Sequence, residues 1–394
     1  MSSLHAVANP ILQKATFVCG ILGVTIWIYL FAGRGRFWRV RRLIEAVPPV
    51  HMADRVIAVV IPARNEADSI GASITSLLRQ TCSDLLSIFV VDDHSSDTTA
   101  QVARQAAAQS SHPDAVTAFA SCPLPPGWSG KLWAVQQGVE KAMQLKPLYL
   151  LLTDADIHHD PSNVARLLTV AENGDYDLVS LMVKLHCESF AEKLLIPAFV
   201  FFFFLLYPPE WIRNPRRATA GAAGGCMLVR PEALARAGGV SAIRQEIIDD
   251  CALARAVKQS GGRVWLGITG DTLSLRPHRS VTEIEHMIAR TAFNQLHHSA
   301  WLLLGALVGL TVTYLVPVAL LFSTSRLVVL LGASGYLLMS AAYWPMVRFY
   351  GLNVLWSLTL PFSATFYMTA TLHSAWKYWS GHGGEWKGRS QDVM

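Results

Sequence analysis

The sequence predicts an α/β domain with a Rossmann-like, mostly parallel sheet and flanking helices, joined to transmembrane helices. Three observations predict it. Between residues 52 and about 290, strand-like and helix-like segments alternate in the βαβ manner that implies parallel strands. Several strand-like runs end abruptly in charged residues, as expected at the carboxyl edge of an open α/β sheet, where ligands bind. The 394-residue chain is also 52% hydrophobic and only 15% charged, well below the roughly 25% of soluble domains.

Val56 to Ile61 is the first strand, ended by Pro62, and a helix from about Ala67 to Arg79 puts Ile70, Ile74, Leu77 and Leu78 on one face. Ile88 to Val91 is the second strand and runs into Asp92, Asp93, His94, Ser95, Ser96 and Asp97. The last of these offer N-caps for a helix to about Ala108. Val116 to Ala120 is a third strand, and a helix from about Lys131 to Met143 leads into Tyr149-Leu-Leu-Leu-Thr-Asp-Ala-Asp156. This fourth run lacks the alternation of a half-exposed strand and reads as buried. On extended backbone Asp154 and Asp156 point to the same side, where they repel unless a proton or cation joins them. A hard divalent cation shared with phosphates is the usual partner, although the stretch alone reads equally well as a solvated strand end. Arg64, Asn65 and Glu66, then Asp92 and Asp93, then Asp154 and Asp156, end three strands along one edge. Their coincidence favours a nucleotide-and-metal site. His158 and His159 follow, but adjacent residues of an extended chain face opposite ways, which argues against joint zinc ligation.

Ala15 to Ala32 is uncharged and just long enough to cross a bilayer. Arg34, Arg36, Arg39, Arg41 and Arg42 follow it, against Lys14 alone before it, so the positive-inside rule places the following segment in the cytosol. A cleaved signal peptide would show the reverse order, so the run is read as a retained anchor. Leu194 to Leu206, rich in Phe, is short for a span and would separate Asp156 from Asp250 if it crossed once. It is read as a membrane-surface segment. Three more apolar segments follow, about Ala300 to Phe322, Leu327 to Val347 and Leu352 to Ala375. If all cross, the tail lies outside, yet Lys377, Lys387 and Arg389 favour the inside. A re-entrant last segment, broken by Pro361, would remove the conflict. The expected organisation is an anchor and basic linker (1–50), a cytosolic domain (51–297, with the surface segment at 194–212), C-terminal transmembrane helices (298–376) and a polar tail (377–394). The net charge of +5 is too small to argue for nucleic acid. Cys19, Cys82, Cys122, Cys187, Cys226 and Cys251 show neither a disulfide framework nor zinc spacing.

Ile61-Pro-Ala-Arg-Asn-Glu66, Val91-Asp-Asp93, Pro126-Gly-Trp-Ser-Gly-Lys131, Asp154-Ala-Asp156 and Gly224-Gly-Cys-Met-Leu-Val-Arg230 together resemble the signatures of family 2 glycosyltransferases, inverting enzymes of the GT-A fold. The Phe-rich Pro197 to Pro209 stretch, Arg276-Pro277 and Gly383-Gly-Glu-Trp-Lys-Gly-Arg389 resemble the membrane-anchored, hopene-associated branch. The resemblance implies that Arg64, Glu66 and Asp92 line the base and ribose of a sugar nucleotide. Asp93 either joins them or caps the next helix. Asp154 and Asp156 would hold Mn²⁺ or Mg²⁺ against the diphosphate, and Lys131, at a helix start, would contact a phosphate or remain a solvated lysine. Asp250 matches the family's catalytic base, with Asp249 where Glu is usual. From the residues alone the pair caps a helix equally well. Of the Q-x-x-R-W motif of processive and ceramide-type relatives, Met287-Ile-Ala-Arg-Thr291 keeps only Arg290, a candidate diphosphate partner. The implied protein is a multi-pass enzyme of the bacterial inner membrane. It would transfer a sugar from a nucleoside-diphosphate sugar, a UDP-sugar in first place, to a lipid hydroxyl, a hopanoid in first place. Ceramide-like, carotenoid and polyprenyl-phosphate acceptors are the alternatives. A non-catalytic membrane scaffold is the reading from another class.

Overall fold

The structure, a computed structural model, describes residues 10–40, 56–381, 385–386 and 389–390. Arg41, Arg42, Lys387 and most of the Gly383 to Arg389 motif lie outside the described residues. The chain forms two compact units. One is helical and takes in the chain up to Val40, Glu188–Pro208 and Arg279–Lys377. The other is built on a sheet and takes in the chain to Cys187, then Pro209–His278 and the residues from Tyr378.

The sheet unit contains β1 (Ile57–Ala63), β2 (Leu86–Asp92), β3 (Val116–Ala120), β4 (Tyr149–Thr153), β5 (Ile157–His158), β6 (Leu178–Lys184), β7 (Cys226–Val229) and β8 (Val264–Ser274). They form one eight-stranded sheet in the order β3-β2-β1-β4-β7-β6-β8-β5. Neighbours from β3 to β4 are parallel. β7 runs antiparallel between β4 and β6, and β5 antiparallel beside β8. β1 and β4 are buried along their whole length, as apolar runs without alternation require. Pro62 does not end β1: the strand continues to Ala63, paired with Asp92 of β2. Pairing with β4 has already stopped at Val60–Leu152, so Pro62 has no ladder to interrupt on that side. The first helix starts at Ile70 rather than Ala67, because residues 66–69 form a turn that precedes it. Asp93 does not cap the helix after β2. The N-cap is Thr98, without a side-chain cap bond, and Asp97 just before it accepts the Thr99 N–H at 2.9 Å in a local turn.

Among the described residues, four helices are long and apolar enough to cross a membrane: Gln13–Ala32, Phe190–Arg213, Ala300–Leu320 and Arg326–Phe349. Close packing rests on small residues and on prolines that free backbone carbonyls. A Cβ at Gly332 would lie 2.8 Å from Pro317 O, so only glycine lets these segments approach. Pro317 has no N–H for Thr313 O, and the Trp27 indole donates to that carbonyl instead, at 2.8 Å. The Phe-rich helix runs from Phe190 to Leu206, begun by a capping box between Ser189 and Glu192. It is thus longer than its apolar run suggested. Pro197 lies inside it, and the nearby Leu194 and Leu195 carbonyls accept hydrogen bonds from Ser363 (2.8 Å) and Tyr367 (3.1 Å). Phe201 packs on Phe37 and Tyr343, and Phe202 on Tyr314 and Tyr367. The last apolar segment is divided, a 3₁₀ stretch at Val354–Thr359 preceding the helix Leu360–Trp379.

Candidate active site

Lys131 is the hub. The helix Gly130–Met143 is capped by Ser129, whose hydroxyl accepts the Leu132 N–H, so Lys131 stands in the first turn. Its ammonium reaches Asp154 Oδ1 at 3.0 Å, beyond the end of β4, and Asp249 Oδ2 at 3.1 Å, in the first turn of the helix Asp249–Gln259. Burial alone would lower the Lys131 pKa. Asp154 and Asp249, with Asp250 behind them, outweigh burial and raise it well above the usual lysine range. Asp154 is itself pushed up, by burial first and by Asp156 and Asp249, against the pull of Lys131. A lysine that the sequence left open between phosphate contact and solvent here joins two acidic elements far apart in the chain.

Asp250 Oδ2 accepts the Gly224 N–H at 2.8 Å, and Oδ1 accepts the Cys251 N–H at 2.7 Å. Burial, then the neighbouring Asp249, push its carboxyl up to about 6, although Lys131 and the two N–H donors favour the charged form. Ile248 occupies the N-cap position without a side-chain cap, so Asp249 and Asp250 lie inside the helix rather than capping it. There they also meet the positive end of its dipole. A Cβ at Gly224 would come within 3.3 Å of Asp250 Oδ2, so a side chain there would press on this carboxylate.

Arg276, just past the end of β8, had no chemical role legible in the sequence. Its Nε donates to Asp156 Oδ2 at 3.2 Å and its Nη2 to Glu66 Oε1. Ser274 Oγ donates to the same Asp156 oxygen at 3.2 Å. The only sequence signal was an arginine before a proline at a strand end, which by itself says little. Arg64 Nη1 donates to Asp93 O at 2.6 Å and lies 3.7 Å from the buried Asp93 carboxylate, which also accepts from Ser121 Oγ at 3.3 Å. Asp92 accepts from the backbone and hydroxyl of Ser95, shaping the turn after β2. Arg64 and Asp93 thus tie β1 to β2, and Glu66, Asp154, Asp156, Asp249 and Asp250 meet around Lys131 and Arg276. Arg290 belongs to the helical unit, exposed after the helix Val281–Ala289.

His158 and His159 do face opposite ways. His159 is buried, its ring between Thr153 Oγ1 (3.1 Å) and Asn163 Nδ2 (3.0 Å). Burial and the neighbouring His158 hold its pKa down to about 3, so it is a neutral core residue. Among the described residues no group of three or more His, Cys, Asp and Glu is placed to hold a metal. Asp154 and Asp156 therefore suit a hard divalent ion only as two carboxylate ligands, with substrate phosphates and water completing the shell, a usual arrangement for Mg²⁺. Burial first, then Asp156 and Asp249, raise the Asp154 pKa, so a cation beside it would favour its ionised form. A pocket of about 20 Å³, room for about one water, is lined by Pro62, Thr153, Asp154, Lys131, Gly224 and Asp249.

Residues 58–238 match the family model described as Glycosyl transferase family 2. Over 131 residues the chain is 34% identical to an undecaprenyl-phosphate 4-deoxy-4-formamido-L-arabinose transferase of Pseudomonas savastanoi pv. phaseolicola. That match covers 32% of this chain and 35% of the relative, so the chain spans about a third of that protein's length. Among solved structures, the mannosyltransferase PcManGT of Pyrobaculum calidifontis, in complex with GDP-Man and Mn²⁺, is similar over 93% of this chain and 97% of its own, with a TM-score of 0.53 and 18% identity. That likeness establishes the fold, GT-A. The segment 58–238, which supplies Glu66, Lys131, Asp154 and Asp156 to the cluster, is the part of the chain that matches the glycosyltransferase family 2 model.

Proposed function

We propose that the protein is a membrane-bound inverting glycosyltransferase that moves a sugar from a nucleoside-diphosphate sugar, a UDP-sugar, to a hydroxyl of a lipid acceptor, a hopanoid. The observation that carries this reading is the Lys131 bridge. It joins the Asp154–Asp156 strand end to the helix of Asp250, as a donor site beside a base would require. Glu66, Asp92 and Arg64 stand at the neighbouring strand ends, where the base and ribose of a nucleotide find acceptors and a cation. Asp154 and Asp156 would hold Mn²⁺ or Mg²⁺, which neutralises charge on the leaving diphosphate. Lys131 adds a positive charge at a helix N-terminus, a favourable place for a phosphate.

Asp250 accepts the proton of the acceptor hydroxyl as that oxygen attacks the anomeric carbon and the bond to the diphosphate breaks. Its two N–H donors fix the carboxylate, and the pKa of about 6 leaves it ionised yet basic at neutral pH. Direct displacement inverts the anomeric centre and needs no enzyme nucleophile. For the lipid, the helical unit offers a pocket of about 460 Å³ lined by Phe190, Leu194, Leu355, Trp356, Thr359 and Phe362, chemistry suited to hydrocarbon. The name of the Pseudomonas relative favours a second reading, in which a polyprenyl phosphate accepts the sugar.

Purified protein with radiolabelled UDP- or GDP-sugars, Mn²⁺ and either a hopanoid diol or undecaprenyl phosphate separates the readings. A labelled hopanoid supports the first and a labelled polyprenyl phosphate the second. Absence of nucleotide release with every donor and lipid would favour a non-catalytic scaffold.

A further inference from the structure

Glu66, Asp154, Asp156, Asp249 and Asp250 are gathered around two cations, Lys131 and Arg276. A diphosphate entering with a divalent ion adds about as much negative charge as positive, so both cations must turn toward it for the site to welcome it. Arg276 is built for such a turn. Its side chain is 41% exposed, while Glu66 and Asp156 beneath it are each 13% exposed, so the guanidinium lies on the solvent side of the carboxylates. The backbone beside it is held by other bonds, Leu275 N donating to Asp156 O at 2.8 Å and Arg276 N to Ser274 Oγ at 3.4 Å. Asp156 in turn keeps the Ser274 hydroxyl on Oδ2, so it stays in place if the guanidinium leaves.

Resting on the donor-site reading above, we propose that Arg276 is an exchangeable cation. It neutralises Asp156 and Glu66 before the donor binds, yields Asp156 to the divalent ion, and then contacts the nucleotide's diphosphate. A guanidinium and a divalent ion cannot both sit on one carboxylate oxygen without strong repulsion, so the two compete. The planar fork that now spans Glu66 and Asp156 has the shape that pairs with two phosphate oxygens.

The exchange makes two predictions of opposite sign for Arg276→Gln in the full-length protein. Mn²⁺ alone, followed by the electron paramagnetic resonance of the free ion, should bind at least about threefold more tightly than to wild type, because its competitor is gone. UDP at saturating Mn²⁺, followed by calorimetry, should bind about tenfold more weakly, the loss of one charge-assisted contact. Arg276→Lys, which keeps the charge and loses the fork, should restore wild-type Mn²⁺ affinity and recover only part of the UDP affinity. Weaker binding of both ligands to Arg276→Gln, or no change in either, would overturn the exchange. A wild-type protein that binds Mn²⁺ but neither UDP nor GDP would overturn the donor reading itself, a failure visible before any variant is made.

Discussion

At the scale of the residue, Asp250 gives the sharpest expectation. A base acts in its ionised form, so a carboxyl raised to about 6 loses activity as pH falls through about 6, not through the ordinary carboxylate range near 4. kcat/KM for sugar transfer should therefore fall tenfold per pH unit below about 6 and be level above it until another group titrates. Asp250→Asn removes the base and nearly keeps the shape. It should lower kcat by about 10²- to 10⁴-fold while Mn²⁺-dependent UDP binding stays near wild type. Near-normal turnover in that variant would give the proton to another group. Asp154, Asp156 and Asp250 were legible in the sequence because strand-end carboxylates and a recognisable motif mark them. Arg276 and the bridging role of Lys131 were not, because both partners of Arg276, and Asp249 of the Lys131 pair, lie more than a hundred residues away. Nothing local told Lys131 from a solvated lysine.

At the scale of the element, the segment leading to Gly224 is fastened by a residue with no signature. Lys258, on the same helix as Asp250, donates from one ammonium to Ile212 O (2.6 Å), Thr219 O (2.7 Å) and Trp211 O (3.3 Å). Those carbonyls end the short helix Pro209–Arg213 and begin the irregular run to Gly224, where backbone acceptors have no ladder to enter. Burial lowers the Lys258 pKa, yet three carbonyl acceptors keep a proton-bearing ammonium useful there. Lys258→Met should free all three and cost about 1.5–3 kcal/mol, the worth of hydrogen bonds to a charged group. Thermal unfolding of the purified variant should show a Tm lower by several degrees. An unchanged Tm would mean that water replaces the ammonium without loss. The first four strands were readable, β3 to the residue, since apolar runs bounded by turns are strong signals, whereas β5 to β8 were not marked out in the sequence. The limits of β1 and of the Phe-rich helix were not. Both contain a proline that the fold accommodates through its partners, and sequence shows the proline without the partner.

At the scale of the whole molecule, the sheet decides how the chain can meet a bilayer. The Phe190–Arg213 segment separates β6 from β7 in sequence, yet β7 is hydrogen-bonded between β4 and β6. One sheet cannot be divided by a membrane, so this segment cannot cross once, whatever its length and apolarity. Three candidates then remain as single crossings: Gln13–Ala32, Ala300–Leu320 and Arg326–Phe349. The arginines after the first favour the cytosol for the sheet unit, and the second and third crossings bring the chain back to that side. If the helix Leu360–Trp379 does not cross, the positive-inside rule predicts the tail on the same side as the sheet unit. That count would remove the conflict between the number of apolar segments and the basic tail. Thiol labelling with an impermeant maleimide tests it. Ser323→Cys, between the last two crossings, should react in intact cells. Ser380→Cys should react only after permeabilisation, together with the exposed native Cys122 of the sheet unit. Labelling of Ser380→Cys in intact cells would restore a fourth crossing and place the tail outside.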